Sequence, residues 1–161
     1  MPKVYLSLGS NIDRERHIQG AIADLQHTFG PIEVSSTYET AAVGFEGDDF
    51  YNLVVALESA LPPDEISKLL GEIEVRHGRT KESRKFAART LDIDMLLYGD
   101  ACLEMGKLRL PRDEITHYAF MLEPLAEIAG EMMHPVLHQS FAALWAAFDK
   151  TDLKQHRINR G

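Results

Sequence analysis

A single cysteine, Cys102, stands in the 161 residues, so no disulfide can form within the chain, which suits a reducing compartment. Nothing near Cys102 in sequence would activate a thiol, and the residue reads as a small buried apolar group rather than a nucleophile. No apolar run approaches the roughly 18 residues that cross a bilayer, and Met1-Pro2-Lys3-Val4 leads straight into a strand rather than a signal peptide. A cytoplasmic location without membrane contact is therefore expected. Positive charge is scarce, with 17 Lys and Arg against 25 Asp and Glu and a net charge of −8, which argues against nucleic acid as a partner. No Walker A pattern, kinase catalytic loop or Asp-Phe-Gly signature occurs, so a nucleoside triphosphate would be held without either common cradle. No Ser-His-Asp or Cys-His set can be nominated. His134 and His138 have helical metal-pair spacing, but Pro135 between them and the lack of a third ligand argue against zinc. His17 and His27 fall on helix surfaces and are expected to be solvated. There is no internal repeat and no low-complexity segment.

What positive charge there is lies concentrated. Between Arg76 and Arg89 stand six Lys or Arg residues (Arg76, Arg79, Lys81, Arg84, Lys85, Arg89) against one acid, Glu82. This is a net +5, leaving −13 for the remainder of a chain that carries −8. Directly after it, Asp92 and Asp94 alternate with Leu91, Ile93 and Met95 in an apolar run that continues through Leu96 and Leu97 to a Gly99-Asp100 turn signal, which reads as a buried strand. Residues i and i+2 of a strand share a face, so two carboxylates would stand side by side in apolar surroundings. Such a pair is costly to desolvate and repels itself unless a cation neutralises it. Mg²⁺ suits the position, because it takes one or two carboxylates and leaves the rest of its shell to water and phosphate. The plainer reading, a solvated acidic face on an edge strand beside a solvated basic run, is weakened by the adjacency of the two. Together they favour phosphoryl-type transfer, in which metal and cations neutralise charge and the protein positions the reactants. The acceptor is left open. Phe50, Tyr51, Phe86 and Phe120 read first as core aromatics and second as platforms for a flat heterocycle.

The length suits one domain with a real core, and a monomer is expected. Lys3 to Leu8 alternates as a strand. Ile18, Ala21, Ile22, Leu25 and Phe29 form a helical stripe over about 14–29, closed by Gly30-Pro31. Ile32, Val34, Ser36 and Tyr38 alternate through a second strand, and Phe50 to Glu58 makes a third after a long connection, Glu39 to Asp49. Pro62-Pro63-Asp64 starts a second helix carrying Ile66, Leu69, Leu70 and Ile73, ending near His77-Gly78. The Asp92/Asp94 strand follows. This βαββαβ order predicts an α+β, ferredoxin-like core with both helices on one face and additional C-terminal helices. Beyond it come a weak strand-like segment over Leu103 to Leu110, a helical region over Ile115 to Ala129 with Pro124 bending it or marking a first turn, and a last helix capped by Ser140. Residues 150–161, polar and basic, read as a frayed tail.

Five stretches in order, L-G-S-N (8–11), Y-E-T-A-A-V-G (38–44), F-Y-N (50–52), A-R-T-L-D-I-D-M-L-L-Y-G (88–99) and F-M-L-E-P-L-A-E-I-A (120–129), resemble the 6-hydroxymethyl-7,8-dihydropterin pyrophosphokinases of folate biosynthesis. The resemblance implies transfer of diphosphate from ATP to the hydroxymethyl group of a reduced pterin, releasing AMP, on a ferredoxin-like fold. It implies that Asp92 and Asp94 hold two Mg²⁺ ions, and that Arg79 and Arg89 act in the transfer. Glu74, Lys81, Arg89, Lys107 and Arg112 would serve the nucleotide. Thr40, Ala42, Val43, Phe50, Asn52 and Phe120 would form the pterin pocket, with Phe50 and Phe120 sandwiching the ring and Asn52 reading its polar edge. The chain departs from the family pattern at Arg112 (usually His), Tyr118 (often Arg), Ala42 (commonly Pro), Phe86 (Trp in some members) and Ala87-Ala88 (Gly-Pro). A paralogue acting on a related pterin and a silent nucleotide-binding module are the rival readings.

Overall fold

Residues 1–42, 47–78 and 90–158 are described by the computed structural model. Strands β1 (Lys3–Ser10), β2 (Glu33–Val34), β3 (Thr37–Thr40), β4 (Phe50–Glu58), β5 (Asp92–Tyr98) and β8 (Gln155–Ile158) form an antiparallel sheet in the order β5-β1-β4-β3-β8, with β2 also on β4. Without β8 this is the ferredoxin-like order, and helices α1 (Arg14–Phe29) and α2 (Pro63–Arg76) supply its two crossovers. Both fall where their sequence signals put them. Pro63 opens α2 at a position whose N–H needs no partner, and Asp64 and Glu65 lie in its first turn. Ile18, Ala21 and Leu25 of α1 and Ile66, Leu70 and Ile73 of α2 pack on the face built by Val4, Leu6, Leu8, Leu53, Val55, Ile93 and Met95.

Alternation along the strands gives the opposite face Tyr5, Val54, Ala56 and Leu97, a register shift adds Leu96, and α3 (Ala119–Ala129) and α4 (Phe141–Ala147) cover it with Met121, Leu122, Leu125 and Phe141. Ser140 caps α4 as expected, its Oγ accepting from the Ala143 N–H at 3.1 Å.

Several expectations are corrected. The single second strand is two, because an extra residue separates the register Val34↔Val55 from Tyr38↔Asn52. Ser35 makes this bulge: its N–H donates to Val54 O, while its Oγ accepts the Val54 N–H at 2.9 Å in place of a backbone carbonyl. The bulge turns Tyr38 to the α3 face, where it is fully buried, whereas Val34 is 37% exposed. The weak segment at 103–110 is a hairpin, β6 (Leu103–Met105) with β7 (Leu108–Leu110), turning at Gly106 in the left-handed region (φ 61°). The predicted helix over 115–129 is a 3₁₀ turn, Asp113–Thr116, followed by α3, with Pro124 inside rather than in the first turn. Cys102 is exposed, because it lies beside the hairpin and not in the sheet.

The frayed-tail expectation also fails through residue 158, since β8 pairs with β3 from Thr37↔Ile158 to Thr40↔Gln155. Arg157 fastens it: its guanidinium donates to the Tyr38 hydroxyl at 3.2 Å and lies 3.5 Å from Glu127. The Tyr38 hydroxyl donates to Glu127 at 2.6 Å, and burial together with that bond pushes the phenol well above its ordinary pKa. At Glu127, burial pushes upward, but the hydrogen bonds from Tyr38 and Ser36 outweigh it and hold the carboxyl below its usual value.

His17 is buried rather than solvated. Its Nδ1 lies 2.9 Å from Nδ1 of His77, so the two nitrogens share one proton, and His77 Nε2 reaches Asp24 at 3.0 Å. The His77 ring lies against α1 at Gly20, where a Cβ would come within 2.6 Å of Cε1. The pKa of His17 is lowered, by burial first and then by the charges of His77 and Arg16. A lowered pKa gives stability that is complete above the unfolded-state value of 6.5 and is lost as pH falls through the folded value. Unfolding free energy is thus predicted to decline on acidification below pH 6.5, with part of that decline abolished in His17→Gln. A pH profile unchanged by this substitution in chemical denaturation would refute the account.

Candidate active site

Register brings the candidate residues into rows across the α3-facing side of the sheet. Gly9 of β1 is opposite Asp92 of β5 on one side and Asn52 of β4 on the other, and Asn52 is opposite Tyr38. One step along, Ser7 stands between Asp94 and Val54. At the other end Phe50 is opposite Thr40. With strands about 4.8 Å apart, the acid pair and Asn52 are two strands, roughly 10 Å, from each other. Gly9 lies between them. A Cβ there would lie 2.7 Å from Asn52 Oδ1 and 3.7 Å from the Phe50 ring. The missing side chain lets the Asn52 amide lie across β1, while its Nδ2 donates to Thr40 Oγ1.

The acids stand on an edge strand rather than a fully enclosed one, because β5 ends the sheet. Its outer backbone groups are taken by Glu74 and Arg112. Glu74 of α2 accepts the N–H of Ile93, between the two acids, at 2.9 Å. Arg112 donates from Nε to Met95 O at 3.1 Å and from its backbone N–H to Leu96 O at 3.0 Å. Consecutive carbonyls of a regular strand point opposite ways. The register shift that leaves Leu96 between Tyr5↔Leu97 and Leu6↔Met95 lets one residue bind both. The Arg112 guanidinium then lies 3.7 Å from Asp94 and 3.8 Å from Glu114, close enough to offset the carboxylate's charge in a half-exposed setting.

Asp92, Asp94, Glu74 and Arg112 therefore gather at one end of β5, and Thr40, Asn52 and Phe50 gather across β4 and β3. Ala42 is half-buried just past β3. Phe120 begins the covering helix, stacked on Tyr118 with centroids 5.0 Å apart. Lys107 is exposed on the β6–β7 turn, and among the described residues it is not joined to the acid pair by a hydrogen bond or ion pair. Val43, Arg79, Lys81 and Arg89 lie outside the described residues. Asn11 and Arg14, not nominated from sequence, anchor the approach to Phe50: Asn11 Nδ2 donates to Asp48 O at 3.1 Å, and Arg14 donates to Asp49 O at 2.9 Å and pairs with Glu39 at 2.7 Å. Asn11 closes the L-G-S-N stretch, so a signal for it was present. Arg14 had none.

Two carboxylates on one face of a strand, close to a guanidinium, are a donor set for a hard divalent cation. Among the described residues no group of three or more His, Cys, Asp or Glu side chains could hold a metal. The donor set thus fits Mg²⁺ only as a partial shell that phosphate and water complete.

Residues 5–130 match the family model described as 7,8-dihydro-6-hydroxymethylpterin-pyrophosphokinase (HPPK). The chain belongs to this family. It is 40% identical over 132 residues to the 2-amino-4-hydroxy-6-hydroxymethyldihydropteridine pyrophosphokinase of Bacillus subtilis, covering 80% of this chain and 78% of that one. It is 36% identical over 138 residues to the Aquifex aeolicus enzyme of the same name, covering 84% and 86%. In three dimensions it is similar to the Plasmodium falciparum HPPK-DHPS chain crystallised with SDX-DHP, with a TM-score of 0.77 at 16% identity. That likeness covers 99% of this chain and 48% of the Plasmodium one, and it bears on the fold. No helix among the described residues is long and apolar enough to cross a membrane.

Gly9→Ala tests the row geometry. Asn52 is buried and tied to Thr40, so it has little room to retreat. Overpacking of this kind costs about 1–3 kcal/mol, and a denaturant titration showing a loss below about 0.5 kcal/mol would contradict the fit.

Proposed function

We propose that the chain transfers the terminal diphosphate of ATP to the hydroxymethyl group of 6-hydroxymethyl-7,8-dihydropterin, releasing AMP, as a step of folate biosynthesis. The observation that carries this reading is the row Asp92–Gly9–Asn52, with the acid pair about two strands from a polar side chain suited to the edge of a bicycle. Family membership and the names of the relatives support the substrates. A cytoplasmic monomer is the proposed setting.

In this reading Thr40, Ala42, Val43, Phe50, Asn52 and Phe120 form the pterin pocket. Phe50 and Phe120 hold the ring between aromatic faces, and Asn52, fixed by Thr40, hydrogen-bonds its edge. Two Mg²⁺ ions held by Asp92 and Asp94 would supply neutralisation of the phosphate oxygens. Glu74 and Arg112 keep β5 in place: one binds the N–H between the acids and the other binds the next two carbonyls. Lys81, Lys107 and Arg112 serve the triphosphate, and Arg79 and Arg89 supply the charge that offsets what develops during transfer. The pterin oxygen bonds to the β-phosphorus, the bond from that phosphorus to the oxygen bridging toward the α-phosphate breaks, and the hydroxyl proton leaves to solvent. No protein nucleophile takes part, so alignment is the protein's main contribution.

Asp92→Ala and Asp94→Ala should each lower AMP formation on the order of 10³-fold with an unchanged circular dichroism spectrum. Near-normal turnover in either variant would sink the assignment. Arg89→Ala should depress kcat more than it raises KM for ATP, as removal of a transition-state contact does; a pure KM effect would contradict that role.

A further inference from the structure

Gln155 sits in the segment that sequence alone reads as a tail, beyond the residues 5–130 that match the family. It is opposite Thr40 in the β3–β8 pair, and Thr40 is opposite Phe50 in the β3–β4 pair. Directly opposed residues of antiparallel strands share a face. Phe50, Thr40 and Gln155 therefore form one row on the α3 side, at the end of the sheet where the pterin is placed. The Gln155 side chain leaves this row toward α3. Its Nε2 donates to the Ala119 carbonyl at 3.1 Å and to Glu123 Oε1 at 2.8 Å. An amide nitrogen has two hydrogens, and both are used within the first five residues of the helix that presents Phe120. On the other side of the row, the preceding residue, Lys154, accepts the Ala41 N–H on its carbonyl at 3.2 Å, next to Ala42.

We propose that Gln155 is a positioning residue for the pterin pocket. Two adjacent residues at the start of β8 grip both walls: Lys154, just before the strand, holds the chain leaving Thr40, and Gln155, its first residue, holds the helix start bearing Phe120. Phe120 is half-buried, at the margin of the core on the α3 face and stacked on the half-buried Tyr118, so the height of its ring above the sheet follows the placement of the helix start. The amide clamp holds that start. Because the clamp acts from β8, four strand positions from the acid pair on β5, it governs pterin affinity and leaves that pair untouched.

This inference rests on the pterin reading, and the test separates the two. In the full chain, Gln155→Glu replaces the donor by an oxygen that faces a carbonyl and a carboxylate; Gln155→Ala removes it. KM for the dihydropterin should rise about tenfold or more in Gln155→Glu and less in Gln155→Ala, while kcat and KM for ATP stay within about twofold of wild type. Amide hydrogen exchange at Met121 to Glu123, measured without ligand, should quicken at least tenfold in Gln155→Glu. A wild-type chain that forms no AMP from ATP and the pterin refutes the function. A functional wild type with an unchanged pterin KM in Gln155→Glu, or with all three constants impaired together, refutes the positioning role. Unchanged exchange at Met121 to Glu123 overturns the clamp in every case.

Discussion

The site depends on a side chain that is missing. Gly9 lies in the central part of the sheet, with β5 on one side and β4 on the other, and any Cβ there would meet the amide of Asn52 at 2.7 Å. An alanine at this position would leave the backbone of the fold available but would occupy the space in which the amide lies. Sheet formation supplies the rest at no extra cost. Once antiparallel register is set by burial of Leu6, Leu8, Leu53 and Val55 on one face, alternation delivers Asp92, Asp94, Asn52, Phe50 and Thr40 to the other. The helices α1 and α2 thus fix the site from the opposite side of the sheet, through the hydrophobic layer and without touching most of it.

Two bulges refine that frame. At Ser35 an extra residue turns the following strand over, so that Tyr38 and Thr40 face α3. At Leu96 an extra residue lets Arg112 bind two consecutive carbonyls, which brings its guanidinium beside Asp94. The position is one at which the family usually carries His. Arginine keeps its charge at every physiological pH and can hold a carbonyl with Nε while a terminal nitrogen approaches a carboxylate, which is the geometry seen.

The elements with a strong period were legible in sequence. α1, α2 and β4 fall within a residue or two of the bounds that their apolar spacing and stop signals predict. The acid pair was legible because two carboxylates in an apolar strand pose an electrostatic conflict visible without coordinates. Features created by pairing at long range were not legible. The Ser35 bulge looks in sequence like one continuous alternation, β8 looks like a polar tail because its neighbours, Tyr38 and Glu127, are over 100 and 30 residues away in the chain from Arg157, and His17 looks like a surface residue until α2 brings His77 onto it. Cys102 erred the other way, an apolar side chain that the hairpin leaves in solvent. Among the predicted site residues, those given by the strand pattern are gathered by the fold; of the four outside the described residues, Arg79, Lys81 and Arg89 rest on the basic run and the resemblance, and Val43 on the resemblance alone.

The outer margin of β5 also has a colloidal role. An edge strand offers unpaired N–H and C=O groups to any other extended chain, and proteins commonly blunt such edges with proline, lysine or a covering loop. Here the open groups of Ile93, Met95 and Leu96 are filled by Glu74 and Arg112, the same residues that frame the acid pair. Protection against strand addition from a second molecule and support of Asp92 and Asp94 are therefore one construction. The edge would stay closed by Glu74 and Arg112 whatever the chemistry at the acids beside them.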